Sequence, residues 1–426
     1  MISQNRHIKN FEELSTTPNR AIVLEILEAG LAAIDTELIL KNSFILDGDT
    51  LSVQGKDFDL TKFKKIKVVG FGKASAKAAV ALDNILGDRI SEGVMVGLVK
   101  SDCEHIETFA GTHPRPSSQN LVAGTRIREI VSSCTEDELV IAVVSGGGSA
   151  LLCDSEFECD SILNLYDAFL GKGGQISEMN TVRKHLSDLK GGGLAKLAYP
   201  ATLIGLIFSD VPGTNFADVA SGPTYFDPTT VADAEKIVQE KNLGSYELKE
   251  TNKDPKYFEN VHNFVLVENK TAVSAMQKHA LDKGIKAYIL STEFYDEAVT
   301  VVREMDDALA EHPLVLAAGE PRVRITKKGG SGGRNMYLCQ SALYTGIINE
   351  GVVFASLASD GMDNSDMAGA IVDSETKKKI KDRNLDEAIF YENYDSYNFF
   401  SKIGDLINTG PTGANVSDIM LMYKNK

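Results

Sequence analysis

The chain has 426 residues, 43% of them hydrophobic and 24% charged, and its formal net charge at pH 7 is −16. At roughly 150 residues per domain this predicts two or three globular units, with enough chain for two sizeable cores. The acidic balance disfavours nucleic acid as a general partner and gives no support to docking on an anionic membrane, yet it permits a local cationic pocket.

From the N-terminus, residues 1–17 are polar and predict a loose lead-in without the apolar run of a signal peptide. Pro18 opens an expected amphipathic helix over 21–34, with Ile22, Ile26, Ala29 and Ala33 on one face. Alternation over 44–60, broken at Asp47-Gly48 and Gly55, predicts a hairpin. A strand over 65–69 runs into Gly70-Phe71-Gly72-Lys73-Ala74-Ser75 and an alanine-rich helix to about Leu86. Strand, glycine turn and helix in that order leave backbone N–H groups that can hold an anion. Ser75 stands where a dinucleotide fingerprint has its third glycine, and the spacing of a Walker A lysine is absent. Lys73 lies in the turn itself, which the helix dipole disfavours unless the lysine faces a ligand. Gly72, Lys73 and Ser75 are therefore candidate site residues.

A second strand is expected over 93–99, followed by the stiff turn Gly111-Thr112-His113-Pro114-Arg115-Pro116, whose lone histidine could serve as a base but in a proline turn is more often structural. After a helix over 119–132, the apolar run 139–144 predicts a buried strand that leads into Ser145-Gly146-Gly147-Gly148-Ser149. Three glycines flanked by serines between a strand and a helix form a natural nest for phosphate or carboxylate.

Residues 173–195, GGQISEMNTVRKHLSDLKGGGLA, organise the rest of the chain. They predict about four helical turns between Gly173-Gly174 and Gly191-Gly192-Gly193. Met179, Val182, Leu186 and Leu189 recur at helical spacing as an apolar stripe. Asn180, Arg183, Ser187 and Lys190 repeat those offsets one position on, forming a polar, partly cationic stripe about 100° around the helix. That stripe needs anionic partners.

A buried strand over 201–209 ends at Asp210, where open α/β sheets bind ligands. Asp210 suits Mg²⁺ or a substrate hydroxyl, and equally a turn aspartate bonding its own backbone. The charged segment 241–260 marks the expected boundary between domains 1–250 and 251–426. Strands over 264–267, 287–290 and 314–318 then alternate with helices over 271–283 and 296–310. Gly319-Glu320-Pro321 follows, then an alternating strand over 322–326 and the flexible, cationic loop 327–335. A loop with Gly332-Gly333-Arg334-Asn335 at the start of a helix (336–343) reads as an anion clamp. Asp360 stands beyond the apolar run 351–358 with the same two readings as Asp210. A last polar turn, 408–416, carries Thr412 and Asn415 ahead of a closing strand over 419–423.

Repeated strand–turn–helix units predict an α/β fold of two domains, with open, mostly parallel sheets and helices on both faces. No apolar run approaches the ~18 residues of a membrane span. The five cysteines are odd in number and lack a CxxC, which predicts reduced thiols in a cytoplasmic protein, with neither a zinc site nor a disulfide framework.

Taken together, GKASAKAA, GTHPRPS, SGGGSALL, the 173–195 stretch, FSDVPGTNFADVASGPTYFDPTT, AGEPRVRI, GGSGGRN, SDGMDNSDMAGA and TGPTGANVSD resemble the class II glycerate kinases. This is the glycerate 2-kinase family with a C-terminal MOFRL domain. The resemblance runs from about Asn19 to Met422. It implies a Rossmann-like N-terminal domain, a smaller C-terminal α/β domain and an active site in the cleft between them. It implies ATP-dependent phosphorylation of D-glycerate to 2-phosphoglycerate and ADP with Mg²⁺, with Lys73 and Arg334 as the catalytic pair. Ser359 replaces a frequent threonine, the segment at Asn364-Ser365-Asp366 is one residue short, and Met336-Tyr337 replace a usual Gln-Glu pair. These departures, expected on the ligand side of the C-terminal domain, bear on substrate preference more than on reaction class.

Phosphoryl transfer asks mainly for positioning and charge neutralisation. On that reading the glycine loops hold phosphates, and which loop faces ATP stays open. Asp210 or Asp360 holds Mg²⁺ or accepts the proton of the attacking hydroxyl. Arg183 and Lys190 bind the glycerate carboxylate, and Asn180, Glu320, Asn335, Thr412 and Asn415 are further candidate binding residues. The alternatives are an NAD(P)H-dependent hydroxypyruvate reductase, a kinase of another short sugar acid and a non-catalytic sensor, in a monomer or homodimer.

Overall fold

A computed structural model describes residues 6–172 and 176–425, and the chain forms two compact units. One is Thr36–Val267; the other joins Met1–Asp35 to Glu268–Lys426. This division differs from the expected 1–250 and 251–426 at both ends. The last strand of the first sheet runs to Val267. The N-terminal helix Pro18–Ala33 belongs with the C-terminal residues because of what it buries. Its apolar face is Val23, Leu24, Leu27 and Leu31 together with Ile26, so of the expected face only Ile26 is buried. A Cβ at Gly30 would stand 2.8 Å from Met276 Cγ, so the helix lies close against helix Asn269–Asp282. Buried Arg20 donates to Asp373 at 2.8 and 2.9 Å and to Asp405 at 2.8 and 3.1 Å.

The unit 36–267 opens with an antiparallel meander of β1 (Phe44–Asp47), β2 (Thr50–Val53) and β3 (Lys56–Asp59). Two glycine turns were expected within one hairpin, and two turns make three strands. The main sheet comprises β4 (Lys65–Phe71), β5 (Ile90–Gly97), β6 (Glu107–Ala110), β7 (Glu138–Ser145), β8 (Thr202–Phe208) and β9 (Val261–Val267). All five pairings are parallel, in the order β6-β5-β4-β7-β8-β9. Every residue of β7 is buried, as a continuous apolar strand covered on both faces should be. The chain winds outward from β4 in one direction and outward from β7 in the other. The winding therefore reverses between these two strands, at the kind of switch point where open α/β sheets bind ligands. Lys65 pairs with Glu138 and Phe71 with Val144, so the turns after both strands emerge side by side.

The organising stretch is shorter than predicted. Its helix is Ile176–Leu186, and Gly173-Gly174 lies outside the described residues. Ser187 Oγ accepts from Leu189 N and Lys190 N, a local bonding pattern that competes with the helix and ends it. Both stripes of the stretch are buried, the polar one included. Cys153 and Cys159 form a disulfide, against the expectation of reduced thiols only; their spacing of six residues brings the two ends of one turn together.

The second sheet comprises β10 (Ala287–Phe294), β11 (Leu314–Gly319), β12 (Val352–Ala358), β13 (Gly369–Val372), β14 (Leu406–Ile407) and β15 (Asp418–Lys424). Its order is β10-β11-β15-β12-β13-β14. Here the expected parallel pairing is confined to β10 and β11, because β15 returns from the chain end and inserts antiparallel between β11 and β12. Residues 322–326 form no strand; a single bridge joins Arg322 to Glu297. The core beneath this sheet gathers Val301, Met305, Val315, Met336, Phe354 and Met420. Burying each such side chain contributes roughly 1.5–3 kcal/mol. Met336 thus belongs to the core, not to a ligand-facing surface. No helix among the described residues is long and apolar enough to cross a membrane.

Candidate active site

In the unit 36–267 the turns after β4 and β7 interlock. Gly72 has φ +116°, and a Cβ there would come within 2.2 Å of Ser145 Oγ and 2.4 Å of Ser145 O, so only glycine permits this approach. Ser145 Oγ accepts from Ala74 N at 3.2 Å and donates to Phe71 O at 3.3 Å. Lys73 N donates to Gly146 O at 2.9 Å. Gly147 has φ +79°, and a Cβ on it would lie 3.2 Å from Lys73 Cγ and 3.3 Å from His113 Cδ2. Lys73 and His113 therefore both lie along Gly147. Buried Asn120 fixes the histidine's turn: it accepts from Thr112 N at 2.9 Å and donates to Thr112 O at 3.1 Å and Ala150 O at 3.2 Å. Three loops, after β4, β6 and β7, are thus tied together at the switch point. Nothing in the linear sequence signals the proximity of His113 to Lys73.

Other expected binders are packed within the fold. Ser75 is fully buried at the start of helix Ser75–Leu86, and a Cβ on Gly97 would lie 3.6 Å from its own Cβ. It packs the helix on β5, the task of the third glycine in a dinucleotide fingerprint. Ser145 is occupied by backbone groups, as above. Ser149 Oγ meets Ser221 Oγ at 2.8 Å, and Ser221 Oγ donates to Asn180 Oδ1 at 3.2 Å. Ala220 and Ser221 adopt φ of +51° and +61°, a costly conformation for residues with a side chain and one that often marks functional sites. A Cβ on Gly148 would stand 2.6 Å from Ala220 Cβ, so the strained turn presses on the glycine loop.

The last turn of helix Ile176–Leu186 carries Arg183, Lys184 and His185, all buried. Lys184 Nζ pairs with Asp218 at 3.1 Å and Asp227 at 3.5 Å. His185 Nδ1 donates to Lys249 O at 2.7 Å. Lys190 is also sealed, donating to Leu152 O and Glu158 Oε1, each at 2.5 Å. Burial pushes the Glu158 carboxyl up, and Lys190 opposes that rise. Lys190 therefore serves as the internal counter-ion of Glu158. Arg183 has a buried Nε without a hydrogen-bond partner, and burial lowers its guanidinium to about 10. Asp210 stands two residues beyond β8, on the carboxyl side of the sheet.

In the other unit, the register pairs both Gly319 and Ala358 with Asp418. The ends of β11 and β12 and the start of β15 therefore share one sheet edge. Arg334 begins helix Arg334–Tyr344 there. Its Nε donates to Asp418 Oδ2, and its Nη2 donates to Asp418 Oδ1 at 3.3 Å and Glu320 Oε1 at 2.9 Å. Burial alone would lower the guanidinium, but Asp418 and Glu320 outweigh it and hold the group well above its ordinary value. Asp363 accepts from Asn335 N at 3.1 Å and Met336 N at 2.8 Å, which caps the helix start. A Cβ on Gly333 would come within 2.1 Å of Asp363 Oδ1. Asn335 is fully buried between Asp363 and Ser356, whose Oγ donates to it at 2.5 Å, so its side chain positions the helix start.

The loop ahead of Arg334 is tied to the segment 393–397 by hydrogen bonds. Gly330 N donates to Asn393 O at 2.8 Å, Ser331 N to Asp395 Oδ1 at 2.9 Å, and Tyr397 N to Ser331 O at 2.9 Å. Gly332 has φ +124° and lies against Ser396. Asp360 Oδ1 accepts from Met362 N at 2.9 Å, and its carbonyl accepts from Thr412 N at 3.1 Å. Thr412 Oγ1 donates to Ser359 O at 2.6 Å. The turn holding Thr412 and Asn415 is thus clasped to the tip of β12.

Among the described residues no three acidic, histidine or cysteine side chains gather around a metal. Single carboxylates at strand tips, Asp210 and Asp360, nevertheless suit Mg²⁺, which takes one or two carboxylates and completes its shell with phosphate and water.

Residues 22–253 match the family described as a domain of unknown function (DUF4147), and residues 313–418 match the MOFRL family. The chain is similar to the glycerate 2-kinase of Pyrococcus horikoshii, with 34% identity over 94% of this chain and 96% of that protein. It is 34% identical to the D-glycerate 2-kinase of Thermotoga maritima over 84% of this chain and 90% of that protein. A crystal structure of glycerate kinase from Thermotoga maritima superimposes with a TM-score of 0.79 at 30% identity, covering 95% of this chain and 99% of that chain.

Proposed function

The chain belongs to the glycerate 2-kinase family with a MOFRL domain, and from that premise we propose how its own residues move a phosphoryl group from ATP to the 2-hydroxyl of D-glycerate. It is a phosphotransferase with an alcohol acceptor, and its products are 2-phosphoglycerate and ADP. The bond from the γ-phosphorus to the bridging β,γ-oxygen breaks, the bond to the glycerate oxygen forms, and the hydroxyl proton leaves to a carboxylate. Asp210 and Asp360 are the carboxylates proposed for that proton and for Mg²⁺. When bound, Mg²⁺ neutralises charge on the phosphates.

The observation that carries the reading is Lys73 laid along Gly147 at the point where the parallel sheet reverses its winding. A backbone bond from Lys73 N to Gly146 O holds the lysine's main chain at the glycine loop, and a cation carried from there would supply positive charge to developing phosphoryl oxygens. Arg334, on the other unit, stays charged throughout the physiological range because Asp418 and Glu320 flank it. We assign Lys73 to the oxygens of the transferred phosphoryl group, and Arg334 to binding an anionic oxygen at the sheet edge of its own unit. The small-molecule substrate is the partner this reading requires.

The test is coupled ADP release with ATP, Mg²⁺ and D-glycerate, in the wild type and in Lys73→Ala. Losing one such donor is expected to cost turnover about 10²–10³-fold with the circular dichroism spectrum unchanged. Wild-type turnover in Lys73→Ala would remove the lysine from the mechanism.

The strand order also suits a dinucleotide, which favours a second reading as a reductase. Ser75 at the third glycine position weighs against it. Oxidation of NADH by hydroxypyruvate without ATP would support it.

A further inference from the structure

We propose that Arg183 is the carboxylate receptor of the unit 36–267, and that its guanidinium confines the acceptor to short 2-hydroxy acids over neutral polyols. The identity of the acid rests on the kinase reading above; the anion site itself does not.

Three basic side chains are buried in one helical turn, and only two of them are answered. Lys184 faces Asp218 and Asp227, and His185 is held by Lys249 O and lies 3.2 Å from Thr229 Oγ1. Arg183 makes no ion pair among the described residues, and its Nε is sealed without an acceptor. A buried charge without a partner is strongly destabilising, and an apolar side chain of similar volume would be more stable there. The natural complement of a guanidinium is a carboxylate or phosphate bound through two parallel N–H···O bonds. Burial depresses the group to about 10, so it remains charged at neutral pH, and among the described residues it faces no ionised counter-charge.

The position of Arg183 ties it to the glycine loop. It lies three residues, and so roughly one turn, beyond Asn180 on the same helix. Asn180 accepts from Ser221, and Ser221 meets Ser149 of that loop. The strained residues Ala220 and Ser221 form the link. Only 5% of Arg183 is exposed, which suits a small monoanion better than a magnesium triphosphate. In a 2-hydroxy acid the carboxylate is attached to the carbon that bears the reacting hydroxyl. Fixing the carboxylate therefore fixes which hydroxyl attacks, a positioning effect worth large factors in rate. Glycerol, lacking the charge, would leave Arg183 desolvated and unpaired.

The experiment compares wild type, Arg183→Met and Arg183→Lys in kinetics and thermal unfolding, with D-glycerate, its methyl ester and ATP varied in turn. For Arg183→Met the expected result is a KM for D-glycerate raised about 100-fold or more, with the KM for ATP within about 3-fold. The methyl ester should be used equally poorly by wild type and Arg183→Met, and Arg183→Lys should fall between them on D-glycerate. Arg183→Met should melt no lower than wild type, since it removes an unpaired buried charge. An unchanged KM for D-glycerate would overturn the assignment while leaving the kinase reading intact. A rise in the KM for ATP instead would mean that the guanidinium meets a phosphate. Lower melting temperatures in both variants would make Arg183 structural. If the wild type fails to phosphorylate D-glycerate, the kinase reading fails separately. Calorimetric titration of wild type and Arg183→Met with D-glycerate and D-lactate then decides: binding lost in the variant sustains the receptor, and equal or absent binding in both overturns it.

Discussion

Arg334 donates to both carboxylate oxygens of Asp418, and Asp418 lies opposite the last residues of β11 and β12. The guanidinium is therefore fixed to the central strand of its sheet by a residue that faces no solvent. Asp418→Asn keeps the shape and removes the charge. A small misplacement of a charged group costs up to about 10²-fold in rate. The expectation is a kcat about 10- to 100-fold lower with little change in the melting temperature. Turnover within about 2-fold of wild type would mean that Arg334 needs no such anchor.

Gly147 and Gly284 form a matched pair. Both have positive φ, +79° and +77°, but a Cβ on Gly147 meets Lys73 and His113 while one on Gly284 meets nothing within 4 Å. Alanine at either position carries the backbone cost of about 1–2 kcal/mol, read as a lower urea midpoint. Only Gly147→Ala should also displace Lys73, with kcat/KM falling about 10-fold or more. Equal activity in the two variants would separate Lys73 from the glycine loop.

Arg20 is the sealed cation between Asp373 and Asp405. Arg20→Met would leave two buried carboxylates facing each other. Breaking such a pair costs about 3–5 kcal/mol, and adding Asp373→Asn and Asp405→Asn should restore part of it. Urea unfolding followed by far-UV circular dichroism reads the effect, and a loss below about 1 kcal/mol would contradict it.

Asp363 supplies the pH dependence. Burial first, and then the neighbouring Asp418, push its carboxyl up to about 7 against the opposing bonds from Met336 and Asn335. Between its ordinary value of 3.8 and about 7 the folded state binds a proton that the unfolded state does not. Stability from this group therefore falls as pH rises through that window. Glu387, also raised to about 7 by burial, adds to the same slope. Asp363→Asn should flatten the fall in urea midpoint between pH 5 and pH 7.5 without abolishing it. A slope equal to that of wild type would show that Asp363 is charged throughout.

The parallel sheet was legible in the sequence because its apolar runs and glycine turns are local signals, and Lys73 and the SGGG loop stood out for the same reason. The insertion of β15 between β11 and β12 was not legible, since pairing across more than 50 residues leaves no local trace. Residues 322–326 alternate convincingly, but only Arg322 is paired, in an isolated bridge. Lys190 and Arg183 lie on the same stripe and look equivalent in a helical projection. Only tertiary packing separates them, because Glu158 meets one and, among the described residues, no carboxylate pairs with the other. The proximity of His113 to Lys73 was not legible for the same reason: the two are 40 positions apart in sequence.

The most direct test is phosphorus NMR of the product formed from ATP, Mg²⁺ and D-glycerate by the wild-type chain. The account predicts a 2-phosphoglycerate resonance that grows in step with ADP. A 3-phosphoglycerate resonance would contradict the placement of the 2-hydroxyl, and ADP without any phosphoglycerate would contradict transfer to glycerate altogether.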